Sequence, residues 1–259
     1  MTAVQPPLLV ASASDIRRGW MLHVFTTLGV IVGMLALEAV INNRPKAAIV
    51  YLLLTQVIDG LDGPIARQIN IEQSVPKIDG YVLDLVIDFV TCVVVPAMFM
   101  HQFHMLPDGI SLPVVCLVVF LSAMWFSRTD MMTEDNWFRG FPSTWNLVIP
   151  TMYVIDMGRW PTAVATVGLC ALLMSNVQVP HPVRVQVLRP LSLGITAAWL
   201  AALLWATLKL PNVSTFGKIV MIPAVAYFIG LSVWRARSLK EAAHPGNRAN
   251  LGNPAKTAR

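Results

Sequence analysis

The chain is built from apolar runs that follow one another from near its beginning almost to its end. The clearest runs are residues 19–41, 81–103, 111–126, 160–177, 191–210 and 216–234, and the two less certain ones are 46–66 and 145–157. A helix that crosses a bilayer needs roughly 20 mainly apolar residues, and most of these runs approach that length. Only 13% of the residues are charged, against about 25% in an average soluble domain. The sequence therefore predicts an all-α polytopic membrane protein with about eight transmembrane helices, or six if the two uncertain runs do not cross.

This prediction divides the chain into three segments. Residues 1–18 form a cytoplasmic N-terminal segment, 19–237 the transmembrane domain, and 238–259 a polar, disordered tail. With the N-terminus inside, most of the 19 lysine and arginine residues fall on the cytoplasmic side, as the positive-inside rule requires. The net charge of +5 then suits anionic lipid headgroups, and no motif indicates nucleic-acid binding.

Four aspartates stand in two pairs beside the loop that joins the second and third helices. Asp59 and Asp62 are three residues apart, and Asp84 and Asp88 are four apart. Both spacings put the paired side chains on one helix face, and an antiparallel hairpin would bring the two pairs together. Clustered carboxylates are costly at the edge of a bilayer, whereas hard divalent cations take oxygen ligands. We therefore expect a metal site; solvated interfacial acids are the alternative.

Small residues and one arginine lie close to these acids. Glycine weakens a helix by roughly 1 kcal/mol, so the glycines here predict that a ligand approaches the backbone closely. Tight helix packing is the alternative for any one of them. Arg67 would supply fixed positive charge for phosphate oxygens, or serve as an ordinary flanking charge. The small residues concerned are Gly60, Gly63, Ala66 and Gly80.

The order Asp59-x2-Asp62-Gly63-x2-Ala66-Arg67, followed by Gly80-x3-Asp84-x3-Asp88, resembles the signature of the CDP-alcohol phosphotransferases. These integral membrane enzymes transfer a phosphatidyl or similar group from a CDP-linked donor to an alcohol and release CMP. The spacer 68–79 is longer than is usual in the family. In that spacer and in the stretches 138–146 and 181–190, the chain resembles a bacterial branch that joins CDP-diacylglycerol to free choline. The resemblance extends from the first apolar run to about residue 235.

The resemblance implies a role for each residue of the motif. Asp88 would be the catalytic base that takes the proton from the attacking hydroxyl. The metal ligands, for two Mn²⁺ or Mg²⁺ ions, would be Asp59, Asp62, Asp84 and Asp88. The pocket for CDP-diacylglycerol would comprise Asp62, Gly63, Ala66, Arg67 and Gly80. Family members are usually homodimers, so we expect a homodimer in the bacterial inner membrane whose active site faces the cytoplasm.

The sequence constrains the acceptor alcohol less than it constrains the donor or the metal site. Choline carries a quaternary ammonium, whose usual partners are aromatic faces. Candidate rings are Trp125, Trp137 and Trp145, together with Tyr81 beside Gly80, although tryptophans near an interface are commonly only belt residues. A sister enzyme that uses serine or glycerol phosphate remains an alternative. A cation transporter is a further one, and it would place carboxylates near mid-membrane on several helices.

Overall fold

The computed structural model describes residues 12–69 and 77–243. Its helices are α1 (Ala13–Ile41), α2 (Pro45–Ile69), α3 (Gly80–Gln102), α4 (Ser111–Phe126), α5 (Trp145–Val154), α6 (Arg159–Leu173), α7 (Arg189–Leu208), α8 (Thr215–Ile219) and α9 (Ile222–Ala243). Two short strands, β1 (Trp137–Arg139) and β2 (Gln178–Pro180), pair antiparallel. The predicted all-α class is confirmed, with this one ribbon added in the loops.

Four stretches are long and apolar enough to cross a membrane. They are α1, α3, α7 and the broken pair α8–α9, which spans Thr215–Glu241. The helices α4 and α6 are apolar but shorter, and α2 has 25 residues but carries the acidic motif in its second half. If α8 and α9 are counted as one broken helix, the described residues contain eight helices. This multi-pass architecture is consistent with the predicted number of about eight.

The uncertain run 145–157 forms a helix that is too short to cross by itself. The 10 residues of α5 extend about 15 Å, which is half of the roughly 30 Å hydrocarbon core. The segment before it is irregular, and Gly140, Phe141 and Ser143 are all buried. Irregular backbone at membrane depth is tolerated where it is buried in protein. Residues 140–144 therefore carry the chain inward before α5 begins.

The terminal helices extend beyond the predicted segment boundaries. The helix α1 begins at Ala13 rather than residue 19, because the hydroxyl of Ser12 accepts from the backbone N–H of Asp15 at 3.2 Å and caps it. At the other end α9 continues to Ala243, into the predicted tail. Residues 1–11 and 244–259, which hold the rest of the predicted terminal segments, lie outside the described residues.

Contacts between the loops and helix ends lie at the two ends of the bundle. At the end opposite the acidic motif, the Gln102 side chain donates to Asn43 at 3.0 Å and the Lys46 ammonium donates to the Leu208 carbonyl at 3.0 Å. These bonds tie the α1–α2 turn to the ends of α3 and α7. The motif end holds the close of α2 and the start of α3, and the two strands pair in the loops that follow α4 and α6.

Candidate active site

Three of the four motif aspartates converge, as the hairpin predicts. Asp59 on α2 and Asp84 and Asp88 on α3 each offer an oxygen, and these oxygens all lie within 4.8 Å of one another. The acids share a narrow cleft with Thr26 and Gly29 of α1. An all-carboxylate set of this spacing fits a hard divalent cation. The arrangement therefore suits the metal that the motif implies.

The start of α3 sets the direction in which its two acids project. Asp79, which carries no role in the motif, is the N-cap: its carboxylate accepts from the backbone N–H groups of Tyr81 at 2.9 Å and Val82 at 3.1 Å. A capping aspartate satisfies N–H groups that otherwise have no partner at a helix start. Because α3 is then regular as far as Asp88, Asp84 and Asp88 lie on one face.

Immediately after Asp88 the helix widens into a π-helical turn, residues Phe89–Val94. The backbone N–H of Val95 bonds the carbonyl of Val90, five residues back. Pro96 follows, and it has no N–H to offer the carbonyl four residues before it, which favours a local departure from the α-helical ladder. Single π turns inside helices are frequent at functional sites. Here the turn begins at the residue after the proposed catalytic base.

Two glycines of α1 let α3 approach closely beside the acids. A Cβ on Gly33 would lie 2.8 Å from Cγ2 of Thr91, and one on Gly29 would lie 3.2 Å from Cγ2 of Ile87. Small residues four apart commonly allow such packing in membranes. The motif analysis missed both glycines, although the Gly29-x3-Gly33 spacing is visible in the sequence.

The remaining motif residues are only partly described. The backbone of α2 includes Asp62, Gly63, Ala66 and Arg67, but the side chains of Asp62, Ala66 and Arg67 lie outside the described part of the structure. At Gly80 an added Cβ would meet the His23 ring of α1 at 3.3 Å. Helix packing therefore accounts for part of the need for a small residue at position 80, and the ligand-pocket role of this group stays a prediction.

The three candidate tryptophans are packed inside the protein. Trp125, Trp137 and Trp145 are 2%, 1% and 0% exposed, and the guanidinium of Arg235 stands over the Trp137 ring at 4.9 Å. A buried ring offers no face to a dissolved ligand unless the surrounding loops open. Tyr81, by contrast, is 62% exposed. Of the predicted choline contacts, it is the one whose ring is already accessible.

Beside the motif, the loops 127–144 and 174–188 form a layer that we call the loop cap. The β1–β2 ribbon lies within it, and the Phe138 ring stacks on His181 with centroids 5.1 Å apart. The stretches 138–146 and 181–190 are thus in contact with each other. Gly140 has φ +80°, and an added Cβ would lie 2.3 Å from the Leu173 carbonyl oxygen, so the cap closes tightly onto α6.

Ion pairs stabilise the loop cap and lower two carboxyl pKa values. Arg128 donates to both oxygens of Asp130, at 2.9 and 3.0 Å, and this hydrogen bonding lowers the pKa of Asp130. At Asp135, burial raises the pKa, but the Thr133 hydroxyl and the Arg235 guanidinium outweigh it, so the net shift is downward. The Arg235–Asp135 pair, at 2.5 Å, joins the cap to α9.

Comparison with known proteins identifies the family of this chain. The family model for the CDP-alcohol phosphatidyltransferases matches residues 21–207. A phosphatidylcholine synthase from Pseudomonas aeruginosa is 35% identical over 85% of this chain and 92% of its own length. Proteins of the same name from Mesorhizobium japonicum and Brucella melitensis are 36% and 34% identical, each over 71% of this chain and over 69% and 67% of their own lengths. The match spans the acidic cluster and most of the helical bundle, and the chain belongs to the CDP-alcohol phosphatidyltransferase family.

Proposed function

We propose that this protein is a phosphatidylcholine synthase, which transfers the phosphatidyl group from CDP-diacylglycerol to free choline and releases CMP. The observation that carries the proposal is the convergence of Asp59, Asp84 and Asp88. It occurs in a chain that matches most of the length of similar proteins named phosphatidylcholine synthase. The reaction class is inferred from the family, and the acceptor alcohol is inferred from the names of the relatives.

In the proposed reaction the choline oxygen attacks the phosphorus that carries the diacylglycerol. The bond from this phosphorus to the CMP oxygen breaks, and CMP departs with the negative charge. Asp88 takes the hydroxyl proton as the new bond forms, since a carboxylate within hydrogen-bond reach can act as general base. Asp88 suits this role because it lies one turn further along α3 than Asp84. The Cys92 thiol donates to Oδ1 of Asp88 at 3.7 Å.

The same cluster would hold the divalent ions on which the family generally depends. Asp59, Asp84 and Asp88, with Asp62 from the same motif, would bind two Mn²⁺ or Mg²⁺ ions. Such ions, when bound, neutralise the charge of the donor pyrophosphate and of the leaving group. Arg67, Gly63, Ala66 and Gly80 would complete the pocket around the cytidine and phosphates.

The membrane setting of the proposal follows from the distribution of charge. Arg67 of the acidic motif and the loop-cap residues Arg128, Arg139 and Arg184 are among the basic residues that the positive-inside rule assigns to the cytoplasm. We therefore place the active site at the cytoplasmic face of the inner membrane, where water-soluble choline and CMP can exchange. The diacyl chains of the donor would enter from the inner leaflet, and the enzyme would act as a homodimer.

Choline recognition in the proposal requires an accessible aromatic face near the acids. Tyr81 follows Gly80 directly and is exposed, so it is the first candidate. Trp125, Trp137 and Trp145 could contribute only if the loop cap opens, because each is buried in the described structure. A cation–π contact is worth up to about 2 kcal/mol when it is desolvated, so loss of one ring would raise the KM for choline by up to about 30-fold.

The decisive experiment offers the purified protein CDP-diacylglycerol, Mn²⁺ and one alcohol at a time. The alcohols are choline, serine and glycerol phosphate, and the lipid formed is identified by mass spectrometry while CMP is quantified. We expect phosphatidylcholine and an equal amount of CMP with choline, and neither product with the other two. Phosphatidylserine or phosphatidylglycerol phosphate as the main product would show that the acceptor is serine or glycerol phosphate rather than choline, while the phosphatidyl-transfer reaction would stand.

A further inference from the structure

A chain of side-chain amides links the interior of the bundle to the acidic cluster. On α2, the Nε2 group of Gln56 donates to Oδ2 of Asp59 at 3.1 Å. On α5, the Nδ2 group of Asn146 donates to Oε1 of Gln56 at 3.0 Å. Neither Gln56 nor Asn146 belongs to the acidic motif, and the two residues are far apart in the sequence.

The direction of these hydrogen bonds fixes the orientation of the Gln56 amide. An amide has a donor end and an acceptor end, and a free glutamine could present either end to a neighbour. Because Asn146 donates to the Gln56 carbonyl oxygen, the Gln56 NH₂ group must face Asp59. That group then holds Oδ2 of Asp59, so that the rotation of the carboxylate is restricted and its other oxygen has a defined direction.

Asn146 itself lies in the protein interior. It is 1% exposed, and its neighbour Trp145 is fully buried and donates from Nε1 to the Ser122 hydroxyl at 2.9 Å. Among the described residues, Oδ1 of Asn146 has no hydrogen-bond partner. A buried polar atom without a partner is costly, so an amide would be an unfavourable choice at this position if its only role were packing.

We propose that Asn146 and Gln56 are positioning residues that orient the Asp59 carboxylate toward the divalent ion. The inference rests on the proposed function, because it assigns the two amides to the metal site of that reaction. Groups that hydrogen-bond to metal ligands commonly change metal affinity or activity by about 10- to 100-fold when they are removed. Asn146 acts through Gln56, and neither residue touches the substrate.

The test measures Mn²⁺ binding to the purified protein by the electron paramagnetic resonance signal of the free ion, without substrate or turnover. Gln56→Met keeps the length of the side chain and removes the amide, and Asn146→Leu does the same at the second position. We expect each variant to bind Mn²⁺ about tenfold more weakly. We expect the double variant to be little worse than either single one, because residues in one network are not additive.

A matched control exists at the other end of the bundle. The Nε2 group of Gln102 donates to Oδ1 of Asn43 at 3.0 Å, an amide–amide bond of the same kind that lies away from the acids. Gln102→Met should leave the Mn²⁺ affinity unchanged. If Asn146→Leu lowers the yield of folded protein, Gln56→Met, at a half-buried position, still decides the question.

Activity supplies a second readout that separates positioning from general damage. In Gln56→Met, the Mn²⁺ concentration for half-maximal transfer should rise about tenfold, while the rate at saturating Mn²⁺ should recover most of the wild-type value. Wild-type Mn²⁺ affinity in Gln56→Met would overturn the inference and leave the proposed function intact. Wild-type protein that neither binds Mn²⁺ nor transfers a phosphatidyl group would refute both.

Discussion

Gly33 on α1 offers the sharpest test of how the bundle positions the acids. Replacing it with alanine puts a Cβ at 2.8 Å from Cγ2 of Thr91, whereas ordinary contacts begin at 3.4 Å. The two helices must therefore separate by about 0.6 Å at this level, or Thr91 must leave its rotamer. Thr91 lies on the π turn directly after Asp88. The displacement thus reaches the part of α3 that carries the proposed catalytic base.

The expected effect has two parts, the stability cost of overpacking the helix interface and the rate cost of displacing Asp88. Overpacking a tight interface costs typically about 1–3 kcal/mol, which a folded membrane protein of this size should survive. A misplacement of about 1 Å at a reacting group can lower a rate by about 10²-fold. For about 0.6 Å we expect Gly33→Ala to lower kcat/KM roughly 10-fold or more. The yield of protein that elutes as a single species in size-exclusion chromatography should change little.

A compensating substitution makes the prediction specific. Thr91→Ser removes Cγ2, the atom that the new Cβ meets, and retains the hydroxyl that donates to the Ile87 carbonyl at 3.0 Å. The double variant Gly33→Ala/Thr91→Ser should recover most of the lost kcat/KM. Gly168→Ala on α6 is the control, because a Cβ there meets nothing within 4 Å among the described residues. Full activity in Gly33→Ala, or no recovery in the double variant, would show that this helix contact does not position Asp88.

Other consequences can be tested in the same preparation. Asp84→Asn should abolish transfer while leaving the thermal unfolding temperature within a few degrees of the wild type, and chelation with EDTA should do the same until Mn²⁺ is restored. Asp79→Ala removes the N-cap of α3 and should cost about 1 kcal/mol of stability, measured as a lower unfolding temperature. Gly140→Ala should prevent folding of the loop cap, because no side chain fits against the α6 carbonyls, and the yield of monodisperse protein should fall. The pKa of Asp135 is lowered by the Thr133 hydroxyl and by Arg235. These contacts therefore stabilise the fold above the ordinary carboxyl pKa of 3.8, and the contribution is lost as the pH falls through the lower pKa of the folded state. Asp135→Asn should reduce the loss of thermal stability on acidification below pH 3.8, as followed by differential scanning fluorimetry.

The acidic cluster was predictable because local periodicity and connectivity determine it. Spacings of three and four residues fix which side chains share a helix face, and a direct connection between two consecutive helices favours an antiparallel pair. Those two facts bring Asp59 to Asp84 and Asp88 whatever the rest of the chain does. The number of helices followed in the same way from the length of the apolar runs. Helix ends were less predictable: Ser12 extends α1 beyond the apolar run by capping it.

The features that sequence reasoning missed depend on contacts between distant segments. The loop cap pairs a strand after α4 with a strand after α6, and three-residue strands carry too little pattern to be recognised. The contact between Gln56 and Asn146 depends on the depth at which α5 begins, which hydropathy does not encode. The same is true of the tryptophans: Trp125 and Trp145 look like interfacial residues in sequence, yet the loops that fold over them bury both.

The loop cap explains why a half-length helix is useful at this position. A full transmembrane helix would start at the membrane surface, and its first polar side chains would lie in the headgroup region. In this protein the irregular segment 140–144 descends first, held by Gly140 against the α6 carbonyls, so that α5 starts among buried side chains. Asn146, in its first turn, thereby reaches Gln56 one turn before Asp59 on α2. The stretch 138–146, through which the chain resembles the choline-using branch, is thus the part of the loops that connects structurally to a metal-binding aspartate of the proposed active site.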